Sequence, residues 1–324
     1  MRTLKALFRT VVAAGACTLA FQAPAQEVYP SKPVKILVPF APGGGTDFIA
    51  RVLADRLSQK LGKPFIVENR IGGGGNIAGT ALVKSPPDGY TLMLVSSSYA
   101  VAAAVSNPPF DAINDVTPVA HIVDSPLLVA VNPSMPVNTL VELKAYAAAN
   151  PNKISYGSTG VGTIAHLTVE YWLQLTDNKA VHIPYQGMGP AINGVVAGDV
   201  QMVFSDAGAI SGMLKAGRAR PIAIGGNRRF EQLANVPTAA EAGMPDMMLM
   251  TWYGLLAPRA TPPAVVNLLN AEINAIISTR EVSDQFLARF MTPTPAAPAQ
   301  FGTLLHNEYK LWKTLAAQRG IKAQ

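Results

Sequence analysis

Two stretches of the chain have residue types that suit the binding of an anion. Pro39-Phe40-Ala41-Pro42-Gly43-Gly44-Gly45-Thr46-Asp47 joins a strand-like run to a helix-like one, so its backbone N–H groups and the helix dipole face the space beyond the strand's carboxyl end. The segment holds no Lys or Arg, so donors and dipoles rather than a cation would hold a ligand. Thr46 and Asp47 also suit a helix N-cap. Downstream, Tyr156-Gly157-Ser158-Thr159-Gly160-Val161-Gly162-Thr163 repeats the arrangement. Hydroxyls at Ser158, Thr159 and Thr163, with the small Gly160 and Gly162, would let a ligand approach the backbone. One such loop from each of two lobes would grip the two ends of one small anion. The plain alternative is that the glycines only form tight turns.

Other candidate chemistry is weaker. Ser96-Ser97-Ser98 lies at a strand end and suggests a nucleophile with one of the four histidines as base, but no spacing fixes that pairing, and hydrogen bonding to ligand or backbone is the expected use. His166 and Glu170 stand one helical turn apart, a metal-compatible spacing that without a third ligand reads as a polar pair. Gly73 to Ala78 and Gly160 to Ala165 each fit G-x-G-x-x-A, yet neither is followed by a clear strand-end acid about 20 residues on. No G-x-S-x-G, H-E-x-x-H or G-K-[ST] occurs. No metal, cofactor or catalytic residue is therefore expected. Trp252 and Tyr253 suit either an aromatic cleft wall or hinge packing.

Positioning these residues requires α/β units. Val34 to Val38, Phe65 to Asn69 and Thr91 to Val95 read as strands, separated by a helix with apolar residues at Ile49, Val52, Leu53, Leu57 and Leu61 and a short one over about 77–84. A strand at Leu127 to Val131 restarts the pattern, and Thr139-Leu140-Val141-Glu142 has capping-box spacing. Strand-like runs recur at 154–157, 181–185, 200–204 and 221–224, with helices between. Met250 to Ala257 is a last extended run, followed by helical stretches at 262–278, 282–290 and 298–319. Alternating strands and helices imply mainly parallel sheets covered on both faces. The chain is expected to build lobe one over 26–126 and lobe two over 127–251. It then returns to lobe one over 252–324, adding C-terminal helices.

The N-terminus carries Arg2, Lys5 and Arg9, an apolar stretch from Val11 to Phe21 and Ala23-Pro24-Ala25. This reads as a secretory signal peptide over 1–25 rather than a spanning helix, which needs about 20 apolar residues. Ala14-Gly15-Ala16-Cys17 loosely resembles a lipoprotein signal but has Ala14 where leucine is usual. Cleavage removes the single cysteine, so the exported protein has no disulfide or thiol. It also lowers the formal charge of +6 by three, leaving too mild a balance to imply nucleic acid. The remaining length favours two cores.

The string Val38 to Asp47 with Ala50-Arg51, then Val67-Glu68-Asn69-Arg70 and Pro87-Asp88-Gly89-Tyr90-Thr91-Leu92, resembles the substrate-binding proteins of tripartite tricarboxylate transporters, the Bug family. His182-Ile183-Pro184-Tyr185-Gln186-Gly187, Val236-Pro237-Thr238 and Trp252-Tyr253-Gly254 extend the likeness. Gly72 to Gly75 and Asn107 to Asp111 depart from the usual pattern. The resemblance implies a type II-like periplasmic binding protein of two α/β lobes with two hinge crossings, closing on a small organic carboxylate. That carboxylate would be a di- or tricarboxylate, an acidic amino acid or an aromatic acid. It further implies that Phe40, Ala41, Gly44, Gly45, Thr46 and Asp47 contact a carboxylate from lobe one. Ser158, Thr159, Gly160, Gly162 and Thr163 would contact the distal group. Ser96, Ser97, Ser98, Tyr185 and Asp206 would line the pocket. Asp206 would repel a second carboxylate unless a cation or water intervened, would suit a ligand bearing an amine, or would simply cap the following helix.

The expected function is that of a periplasmic carrier, not an enzyme, acting as a monomer and delivering its cargo to membrane subunits. An exported hydrolase using a serine near Ser97 and a ligand-presenting sensory subunit are the alternatives.

Overall fold

Val34–Val38 forms β1, an apolar β-branched run that is buried on both faces except at Lys35, as a strand inside a covered parallel sheet must be. The computed structural model describes residues 29–322 except 73, 74, 107, 152 and 248. The expected signal segment, Cys17 and part of the glycine run at 72–75 lie outside the described residues. After β1 come α1 (Gly45–Leu61), β2 (Phe65–Asn69), α2 (Asn76–Val83), β3 (Thr91–Ser96) and α3 (Ser98–Val105). The middle of the chain holds β4 (Val116–Val131), α4 (Leu140–Ala149), β5 (Ser155–Ser158), α5 (Ile164–Thr176), β6 (Val181–Pro184), α6 (Met188–Ala197), β7 (Met202–Asp206), α7 (Ala207–Lys215) and β8 (Arg220–Ile224). The last part holds β9 (Met250–Pro258), α8 (Pro263–Ile277), α9 (Arg280–Leu287), β10 (Thr292–Pro293) and α10 (Pro298–Arg319).

The strands form two sheets that share β4. In the first, β2, β1 and β3 are parallel neighbours, and β9 runs antiparallel between β3 and the first part of β4. In the second, β6, β5 and β7 are parallel, and β7 and β8 flank the last five residues of β4 antiparallel. Each lobe thus sets a parallel trio beside antiparallel crossing strands. The sharing of β4 was not expected: the sequence suggests a strand only from Leu127, whereas β4 begins eleven residues earlier. Pro118, His121, Asp124 and Pro126 mask it. The strand tolerates them because its register with β9 shifts between Pro118 and Ala120 and again between His121 and Val123, the bulges that let a ladder absorb such residues.

The two sheets meet where β4 passes from Pro126 to Leu127 and where the chain enters β9 from Leu249 to Met250. These crossings lie side by side: the Leu127 N–H donates to the Leu249 carbonyl at 2.8 Å, and the Gly225 N–H to the Leu127 carbonyl at 2.9 Å. Gly225 fits only because it has no side chain, since a Cβ there would stand 1.6 Å from the Leu249 oxygen.

The C-terminal helices complete lobe one. α10 starts with Pro at its first turn, ends at a left-handed Gly320, and buries Phe301, Leu305, Trp312 and Leu315 against α3 and the β3–β9 region. Each large apolar side chain so buried contributes about 1.5–3 kcal/mol. α5 of lobe two joins the same cluster through Leu167, and Glu170 accepts from the Arg319 guanidinium at 2.6 Å, so packing and charge both tie the lobes. Lobe two has apolar clusters on both faces of its sheet, one around Tyr156, Trp172 and Phe204 and the other around Leu128, Val203 and Phe230.

Candidate functional site

The loop after β1 is organised by Asp47, though not as an N-cap. Gly44 occupies that position with extended backbone and no side-chain cap. Asp47, inside the first turn of α1, accepts from the Gly43 N–H (3.0 Å), the Arg51 guanidinium (2.9 and 3.0 Å) and Asn69 Nδ2 (2.9 Å). The Arg51 hydrogen bonds hold its carboxyl down at about 2. Gly43, at a φ of 91°, is thereby locked in a conformation that other residues rarely adopt. Gly45 is packed against the Tyr253 hydroxyl, 2.9 Å from where a Cβ would stand.

Gly43, Gly45 and Tyr253 form one wall of a cavity of about 400 Å³, within the size range of small-molecule sites. Gly43 and Gly45 come from the start of α1, and Asp206, Gly208, Ala209 and Ser211 from the β7–α7 junction of lobe two. Ser125 and Tyr253 lie beside the crossings, and Ala288 to Met291 close a further side. Two helix N-termini, one from each lobe, therefore face one space. Asp206 is the N-cap residue of α7, yet its side chain makes no capping bond. Burial pushes its carboxyl up to about 6, with its own backbone N–H pulling the other way. Burial, and then the Asp206 charge, raises the Tyr253 phenol, so it stays protonated. Phe290 sits at a φ of 62° and packs on Phe230 of lobe two at 5.6 Å. Arg289 stacks its guanidinium on Phe48, in the first turn of α1, 4.0 Å from the ring centroid. A second cavity of about 540 Å³ shares Gly43 and Arg289 and is lined by Asp47, Phe48 and Arg51.

Of the residues singled out from sequence, Gly45, Asp206 and Tyr253 line the first cavity and Asp47 the second, while Trp252 is buried in the core beside Phe301. Phe40, Ala41, Gly44 and Thr46 belong to the same loop but line neither. Ser96 pairs with Tyr253 across β3 and β9. Ser97 is wholly buried, its hydroxyl 2.5 Å from that of Thr251, while Ser98 opens α3. The loop from Ser158 to Thr163 lines neither cavity, and the hydroxyls of Ser158 and Thr163 are engaged internally. Ser158 Oγ lies 2.6 Å from His182 Nε2 and accepts from the Gly160 N–H. Thr163 caps α5 and donates to the Gly160 carbonyl, and the Gly162 N–H donates to His166 Nδ1. His166 and His182 stack at 3.9 Å, and burial, followed by the neighbouring imidazole, lowers His166 to about 4. Glu170 is spent on Tyr156 and Arg319. Tyr185 lies over Gly157 and Gly194 of its own lobe.

Sequence reasoning missed Ser125, Gly208, Ala209, Ser211 and the Ala288–Met291 corner. Gly208 and Ala209 were within reach, because Asp206 ends a strand and opens a helix. Nothing local marks Arg289 or Met291: they are brought in by the return of α9 to β10.

Comparison with known proteins agrees with this architecture. Residues 49–321 match the family described as tripartite tricarboxylate transporter family receptor. Protein BugT of Bordetella pertussis is 35% identical over 300 residues, 91% of this chain and 92% of that protein. Among solved structures, R. palustris Rpa4515 with adipate is 31% identical with a TM-score of 0.78, over 91% of this chain and 99% of that one. The periplasmic binding protein BugD is 28% identical with a TM-score of 0.75, over 91% and 100%.

Proposed function

Because this chain belongs to the tripartite tricarboxylate transporter family of receptors, we propose that it is a periplasmic carrier that takes up a small organic carboxylate and delivers it to membrane subunits. Members of the family are receptors rather than enzymes. The observation that carries the reading is the cavity that α1 and α7 face from opposite lobes, since two sets of helix N-terminal donors suit an anion held between them. A similar protein holds adipate, which favours a carboxylate here. On this reading 26–126 and 252–324 form lobe one, 127–251 forms lobe two, and residues 1–25 direct export. Among the described residues no helix is long and apolar enough to cross a membrane. The carrier works as a single copy, and closure of the lobes produces the form that membrane subunits recognise.

The test is thermal unfolding of ligand-stripped protein with a panel of aliphatic, hydroxy, amino, tricarboxylic and aromatic carboxylates. A ligand that binds only the folded state adds about 2.7 kcal/mol at a hundredfold excess over its dissociation constant. At least one class should raise the midpoint. If folded, ligand-free protein responds to none of them, the carrier reading fails.

A further inference from the structure

We propose that Asp206 selects the class of cargo: a monocarboxylate that carries a hydrogen-bond donor, an amino or hydroxyl group, at its far end, in preference to a dicarboxylate. This rests on the carboxylate reading of the cavity. The cavity presents an acid where a receptor for multiple carboxylates needs a donor. Among the described residues no ion pair to the Asp206 carboxyl and no hydrogen bond to that carboxyl from another side chain is seen, and it does not cap α7. Beyond the hydrogen bond from its own backbone N–H, no role in the fold accounts for the carboxyl group of Asp206, a residue that lines the cavity.

The cation of the cavity lies elsewhere. Arg289 is held against Phe48 at the first turn of α1 and lines the cavity with Gly43 and Gly45, so positive potential gathers at that end. Asp206, on lobe two, supplies negative charge and acceptor capacity. A ligand with one carboxylate and one donor satisfies both ends. A second carboxylate would face Asp206 with like charge, which such sites reject strongly. The raised carboxyl of Asp206 agrees with desolvation in this setting.

Binding would be measured by calorimetry at pH 7.5 with 4-aminobutanoate, 4-hydroxybutanoate and 5-aminopentanoate against succinate and glutarate. Wild-type protein should bind a donor-bearing monocarboxylate at least about 10-fold more tightly than the dicarboxylate of the same length, and Asp206→Asn should reduce that ratio to within about 3-fold. Arg289→Gln should weaken every probe while leaving the ratio in place, which separates selection from general anion binding. A dicarboxylate bound as tightly as its donor-bearing match by wild-type protein overturns the proposal, whatever the folding of either variant. So does a preference that survives in folded Asp206→Asn. If none of these probes binds while adipate, malate or another carboxylate does, this inference alone fails. If no carboxylate binds, the carrier reading falls with it.

Discussion

Asp47 and Asp206 place the same carboxyl group in opposite situations. Asp47 is buried but surrounded by donors, and its depressed value of about 2 marks a group that stabilises the fold when charged. That contribution is complete above the ordinary 3.8 and is lost as pH falls through 2. Replacing Asp47 by Ala should cost about 1–3 kcal/mol and, by freeing Gly43, weaken ligand binding; chemical denaturation and calorimetry on the same samples check both. Glu308 behaves in the reverse sense. Buried beside Trp312, whose indole N–H donates to it at 3.3 Å, it is raised from 4.5 to about 7, chiefly by burial. The folded state then binds more protons than the unfolded one between those values, so stability should fall as pH rises from 4.5 to 7 and level off above. In Glu308→Gln that part of the slope should vanish, as read from melting temperature against pH. The glycine loop was legible in the sequence because its composition and its place after a strand both point to a helix N-terminus. Internal engagement of Ser158 by His182 was not, since their proximity depends on β5 and β6 pairing in parallel.

At the scale of elements, glycines mark where two backbones or a backbone and a ring meet. Gly225→Ala would drive a methyl into the Leu249 carbonyl, a contact with no flexible partner to yield. We expect a loss of at least about 1–3 kcal/mol, with faster amide hydrogen exchange at Leu127, the donor between the crossings. Gly254→Ala would meet the Phe301 ring at 2.1 Å and should lift the start of α10 from β9, lowering the melting temperature. α10 could be read from sequence to its last residue because Pro298 and Gly320 punctuate it. β4 could not, because prolines and charged residues disguise a strand whose bulges appear only once β9 lies beside it.

The whole molecule has two lobes, two adjacent crossings and tethers away from the cavity, among them Arg319 to Glu170. On the proposed carrier reading, closure would pivot on the crossings while Phe290 keeps or remakes its contact with Phe230. Small-angle scattering should show the radius of gyration falling when a binding carboxylate is added, and an unchanged radius at saturation would exclude domain closure. Fold class was readable at this scale because alternation of strands and helices survives any error in boundaries. The composition of the cavity was not, because its walls come from five parts of the chain distant in sequence.

The shared strand β4 also sets an order of assembly. The strands of the second sheet all lie between Leu127 and Ile224, so that sheet has its strands as soon as this stretch is synthesised. The first lobe lacks β9, which sits between β3 and β4, until residues 250–258 have emerged. Pairing across such separations is slow. In a chain synthesised from its N-terminus, this delay leaves the first sheet incomplete until most of the chain has been made.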